Sequence, residues 1–88
     1  MDMDTSELTR EIVATIADIC HIEAEAIDPD ADYEAVGLDS LERLAVLSEV
    51  EARLDIRIPD ADLGEMTTVH RTVERLSALV AESAEQAA

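Results

Sequence analysis

Leu8, Ile12, Ile16 and Ile19 recur at intervals of four, four and three residues, and Val69, Val73, Leu76 and Val80 repeat that rhythm further along. Spacings of three and four place side chains on one face of an α-helix, so each set is a stripe that has to be buried. Between them lies a third stripe, Val46, Leu47, Val50 and Leu54. No segment keeps a period of two, so the stripes have no sheet to pack on and must cover one another. The expectation is an all-α fold, a small bundle of three longer helices with one short additional helix.

The chain has no Phe or Trp and a single Tyr, so the core must be aliphatic. Its 88 residues make one domain, residues 1–88, with about 1–4 and 83–88 expected to fray. Twenty-two acids face six arginines, lysine is absent, and the net charge is −16. Such a field repels nucleic acid and anionic membranes and attracts proteins with basic patches. The aliphatic content separates it from acidic disordered chains. One cysteine excludes an internal disulfide framework and fits a reducing compartment. With an acidic N-terminus and no long apolar run, the expectation is a cytoplasmic protein; a monomer is expected as well.

The first helix should begin at Asp4 or Thr5, with Asp4 and Glu7 at capping-box spacing, and fade after His21. A long connection from Ile22 to Asp39 follows, with Ile22, Ile27, Tyr33 and Val36 as its anchors to the core. The second helix runs from Asp39 or Ser40 to about Leu54, with Asp39 as N-cap and Glu42 at the third position. The stretch IRIPDADLGEM has room for one short helix, and Thr67 or Thr68 should cap the last.

The second helix carries more apolar surface than its core face needs. At about 100° per residue, Leu41 and Leu44 fall outside the arc of Val46, Leu47, Val50 and Leu54. Either the long loop covers them, or they form an apolar contact patch beside Ser40, bordered by Glu42, Glu49, Glu51 and Asp55. Ser40 itself lies where a helix presents unpaired N–H groups and its positive end, a place that suits a phosphate. Capping alone is the plainer role for an Asp-Ser pair.

The wider context bears on that choice. Gly37-Leu38-Asp39-Ser40-Leu41, then Ile58-Pro59-Asp60, then Thr67-Thr68-Val69 follow in order, within a segment that strongly resembles the acyl carrier proteins of fatty-acid and polyketide synthesis. The resemblance implies a four-helix bundle of acyl-carrier-protein type in which Ser40 receives 4′-phosphopantetheine from coenzyme A. A separate Mg²⁺-dependent phosphopantetheinyl transferase would do this chemistry, with Asp39 supporting it, and the arm's thiol would carry acyl thioesters. Leu41, Glu42, Leu44, Glu49 and Glu51 would form the surface read by ketosynthase, acyltransferase or acyl-ligase partners. No base is evident beside Ser40, since lysine is absent and His21 and His70 lie on other elements; a non-catalytic carrier is expected. Arg43, and Ala45 where fatty-acid carriers commonly have an acid, weaken the acidic strip and point to polyketide or specialised fatty-acid biosynthesis.

Other constellations compete. Asp28, Asp30 and Asp32 match the start of a calcium loop, but Tyr33 stands where the turn needs Gly and Asp39 where a bidentate Glu belongs. Cys20 lies at the edge of the first stripe, which favours a buried, inert thiol, and His21 falls in the last turn. His70 is placed on the exposed side of the last helix, and these three do not make a zinc site. The alternatives are a peptidyl or aminoacyl carrier, which usually has histidine before the serine, an acidic calcium-binding helical protein, and an unmodified helical adaptor.

Overall fold

The computed structural model describes residues 4–87, with side chains as far as Glu82. The order is α1 (Thr5–Cys20), a 3₁₀ turn (Ala24–Ala26), α2 (Tyr33–Val36), α3 (Ser40–Leu54), α4 (Asp60–Leu63) and α5 (Val69–Ala87). The three expected stripes lie on α1, α3 and α5, and the expected short helix is α4. Of the stretches expected to fray, residues 1–3 and 88 lie outside the described set, whereas Asp4 caps α1 and α5 runs on to Ala87.

Asp4 begins α1 by accepting a hydrogen bond from the Glu7 N–H at 2.8 Å. Leu8, Ile12 and Ile16 are fully buried, and Ile19 packs half-buried against the same core. The helix ends at Cys20, and His21 adopts left-handed geometry (φ 56°) just beyond it. His21 is therefore the C-cap and not part of the last turn.

On α3 the buried face is Val46, Leu47 and Val50, and on α5 it is Val69, Val73, Leu76 and Leu79. Leu79 takes the buried place expected for Val80, which is only half-buried. Helix α1 packs against both α3 and α5. Arg53 ties the first pair together at the edge of the core. Its guanidinium donates to Thr15 Oγ1 (3.1 Å), Asp18 (3.1 Å) and Glu49 (3.3 Å), and Glu11 lies 3.5 Å away.

The long connection holds more structure than expected. Ile27, Tyr33 and Leu38 are buried, and Ile22 and Val36 lie half-buried against the core. Its backbone is stitched to the start of α5: Tyr33 N–H donates to the Thr67 carbonyl and His70 N–H to that of Pro29, each at 2.9 Å. The Thr68 hydroxyl caps α5 by accepting from Arg71 N–H. Below this seam, the Tyr33 hydroxyl meets Thr72 Oγ1 at 2.6 Å, and Thr72 in turn donates to the Thr68 carbonyl.

Burial pushes the Tyr33 pKa from 10.0 up to about 12, against smaller opposing effects of Thr72 and of the Arg43 charge. The neutral phenol is thus favoured in the fold, so its contribution is complete below pH 10.0 and lost as pH climbs toward about 12. At roughly 1.4 kcal/mol per unit, the loss should total about 2–3 kcal/mol. Urea unfolding at pH 8 and at successively higher pH should show the decline, and Tyr33→Phe should flatten it. Because the chain has no lysine, few other groups blur this window.

Candidate functional site

A turn at Gly37 and a helix cap at Asp39 deliver Ser40 to the surface. Gly37 closes α2 with φ 110°, a left-handed conformation that residues with a Cβ adopt only at a cost. That turn sends Leu38 into the core and leaves Asp39 extended, with φ −84° and ψ −178°. Asp39 then begins α3: its carboxylate accepts from Glu42 N–H at 2.8 Å, and Glu42 returns the contact to Asp39 N–H at 3.3 Å. The expected capping box is complete. Both of its bonds bypass the Ser40 hydroxyl, which stands exposed on the first residue of the helix.

Beside Ser40 opens a cleft of about 300 Å³. Tyr33, Leu38 and Thr67 line it, Asp32, Glu34 and Asp39 give it acidic walls, and Arg43 supplies a positive group. This open space lies next to an exposed hydroxyl at the positive end of a 15-residue helix, a place that suits a phosphate.

Of the residues expected to meet partners, Leu41 is 77 % exposed and Leu44 49 %. The loop does not cover them, because its anchors turn it toward the core and α5. Glu42 is engaged in the capping box, and Glu49 accepts from Arg53. Glu51 turns to the following loop, where its carboxylate accepts from Ile58 N–H at 2.7 Å. Its side chain thus has a structural task that spacing along the helix does not reveal. Arg43 and Ala45, read together as breaks in an acidic strip, separate: Ala45 is exposed and Arg43 faces the cleft. Leu38 and Thr67, absent from the expected site, line it as well. Leu38 has one signal in the sequence, an apolar residue standing alone between Gly37 and Asp39.

The three aspartates of the partial calcium motif serve different ends. Asp28 accepts from Asp30 N–H at 2.9 Å, Asp30 pairs with the His70 ring, and Asp32 precedes α2 and bridges to Thr68. Among the described residues, no three His, Cys, Asp or Glu side chains converge to hold a metal ion. Cys20 is half-buried and free. Burial, with Glu42 and Asp39 nearby, pushes its thiol pKa up, which favours the unreactive protonated form. No described helix is long and apolar enough to cross a membrane.

The family described as "Phosphopantetheine attachment site" matches residues 10–80. The chain belongs to this family of carrier proteins. The family's cofactor is 4′-phosphopantetheine, held covalently, and acyl carriers of this kind are generally not catalysts. The carrier is 26% identical to the acyl carrier protein of Thermosynechococcus vestitus, over 90% of this chain and 99% of that one. It is 38% identical to part of a polyunsaturated fatty acid synthase of Thraustochytrium, over 70% of this chain. It spans only 2% of that synthase polypeptide, and 58% of the mitochondrial acyl carrier protein of Dictyostelium discoideum, to which it is 26% identical over 80% of its own length. A free-standing peptidyl carrier protein from Acinetobacter baumannii superposes with a TM-score of 0.75 at 27% identity, covering 85% of this carrier and 94% of that chain. The hexanoyl carrier of the Streptomyces coelicolor actinorhodin polyketide synthase shares the fold, with a TM-score of 0.70 at 24% identity over 91% and 93% of the two chains.

Replacing Asp39 separates its two expected roles. Asp39→Ala removes a helix cap and should cost about 0.5–2 kcal/mol, whereas Asp39→Asn should keep most of the capping. If Asp39 also supports attachment of the arm, the Asn variant will melt near wild type yet load more slowly. Thermal unfolding and a loading time course read the two effects separately.

Proposed function

We propose that Ser40 is the attachment residue and that the chain carries acyl groups between the enzymes of a polyketide or specialised fatty-acid assembly in the bacterial cytoplasm. The observation that carries this reading is the division of labour at the start of α3. Asp39 and Glu42 complete the cap between themselves, leaving an exposed hydroxyl beside the cleft.

In loading, Ser40 Oγ forms a bond to phosphorus as the pyrophosphate linkage of coenzyme A breaks and its nucleotide half departs. The serine proton passes to the transferase or solvent. The attached arm supplies a thiol that carries acyl groups as thioesters. Leu41 and Leu44 present the apolar part of the partner surface, with Glu42 and Glu49 at its acidic margin. Glu51 belongs to the same margin while its carboxylate accepts from Ile58 N–H. Charge draws in partners with basic patches, and the exposed leucines hold them. A single free cysteine suits the reducing cytoplasm.

Leu41→Ala, and more so Leu41→Glu, should leave stability within about 0.5 kcal/mol of wild type, because the side chain is already in water. Acyl transfer by a partner enzyme should fall about tenfold or more, as expected when an apolar anchor worth over 1 kcal/mol is lost. Unfolding curves and partner kinetics check both halves. The likeness to a peptidyl carrier keeps aminoacyl cargo as a second reading. An adenylating enzyme that loads amino acids onto this chain in preference to acyl groups would favour it.

Incubation with coenzyme A, Mg²⁺ and a broad-specificity transferase tests the proposal. Intact mass should rise by one phosphopantetheinyl group, and an unchanged mass beside an active control carrier would overturn it.

A further inference from the structure

Resting on the assignment of the arm to Ser40, we propose that Arg43 grips its phosphodiester and draws the near end of the arm into the cleft. The cleft's charged lining is lopsided. Asp32, Glu34 and Asp39 are acids, and among the described lining residues Arg43 is the one cation. A phosphodiester on Ser40 brings a further negative charge to these walls, so its resting position depends on what opposes them.

Arg43 is placed to do so. Its backbone N–H donates to the Asp39 carbonyl at 2.9 Å, within the first turn of α3, three residues after Ser40. Residues three apart are neighbours on a helix, and helical side chains lean toward the N-terminus, so the guanidinium leans back toward the serine. It is half-buried and shares the lining of the cleft with Tyr33, whose phenol feels its charge.

The guanidinium is also uncommitted. Among the described residues the ion pairs engage Arg53, His70 and Arg75, and none engages Arg43 despite three carboxylates around the same space. A planar fork of donors suits the two free oxygens of a phosphodiester better than a point charge does. With the helix N–H groups on one side and Arg43 on the other, the phosphate is held from two directions. Arg43 is thereby a positioning residue for the arm, a role distinct from recognition on the outer strip.

The experiment uses the whole chain, labelled with ¹⁵N, before and after loading. Mass spectrometry first establishes that one phosphopantetheinyl group has been added. The arginine Nε–Hε signals are then compared, that of Arg43 being assigned by its absence in Arg43→Gln. Loading is expected to shift the Arg43 signal well beyond its linewidth and to slow its exchange with water, while the Arg53 signal stays in place. The ³¹P resonance of loaded Arg43→Gln should differ from wild type, and Arg43→Lys should restore part of the difference. Backbone amide spectra confirm that the variants keep the fold. A loaded chain whose Arg43 signal is unmoved, with a ³¹P resonance indifferent to Arg43→Gln, would overturn the grip and leave the Ser40 assignment standing. Failure to load would remove both.

Discussion

Ser40→Ala is expected to take up no phosphopantetheine while remaining as stable as the unmodified wild type. The two halves of this result follow from different parts of the site. Alanine is well tolerated in the first turn of a helix, and the cap of α3 is made by Asp39 and Glu42, so the substitution leaves every bond of the box in place. The side chain is exposed and fills no core space, which limits the change to about 0.5 kcal/mol. Loading, in contrast, should vanish, because the lost oxygen is the atom that would bond to phosphorus. Intact mass and thermal melts, run on the same samples, show whether the loss is chemical. A variant that unfolds, or one that still gains the full mass, would contradict this account of the site.

Ile12→Ala should have the largest effect on folding. Ile12 is 0 % exposed, midway along α1, the helix that packs against both α3 and α5. Truncation removes buried methylene and methyl groups and leaves a cavity that rigid neighbours fill only in part, at a cost of about 2–5 kcal/mol. A domain of this kind holds only about 5–15 kcal/mol in all. The urea midpoint should therefore drop steeply while the slope of the transition stays near wild type. A loss below about 1 kcal/mol would mean that α1 does not supply the centre of the core.

Much of this molecule can be read from residue spacing, and the exceptions share a cause. The stripes of α1, α3 and α5 are visible because burial on one helical face imposes its period directly on the sequence. The Asp39–Glu42 box is visible for a similar reason: both partners lie within one turn. Helix α2 leaves no such trace. Its four residues are too few to show a period, and Tyr33 is held by Thr67 and Thr72, which lie far along the chain.

Distance in sequence also hides the Arg53 cluster, since its contacts with Thr15 and Asp18 depend on how α1 and α3 are rotated. Glu51 reads as one more surface acid until the loop after α3 brings the Ile58 N–H within reach. Arg43 shows the same limit at the site itself. Along the helix it interrupts a row of acids, and only the fold of the preceding loop places it in the cleft beside Ser40.

Fragment-level mass spectrometry of the loaded chain measures the position of the arm most directly. After incubation with coenzyme A, Mg²⁺ and an active transferase, a proteolytic peptide spanning Gly37 to Arg43 should carry one phosphopantetheinyl group, with the added mass on Ser40. Added mass on any other residue, such as Ser48 or Thr67, or a wholly unmodified peptide beside a fully loaded control carrier, would contradict it.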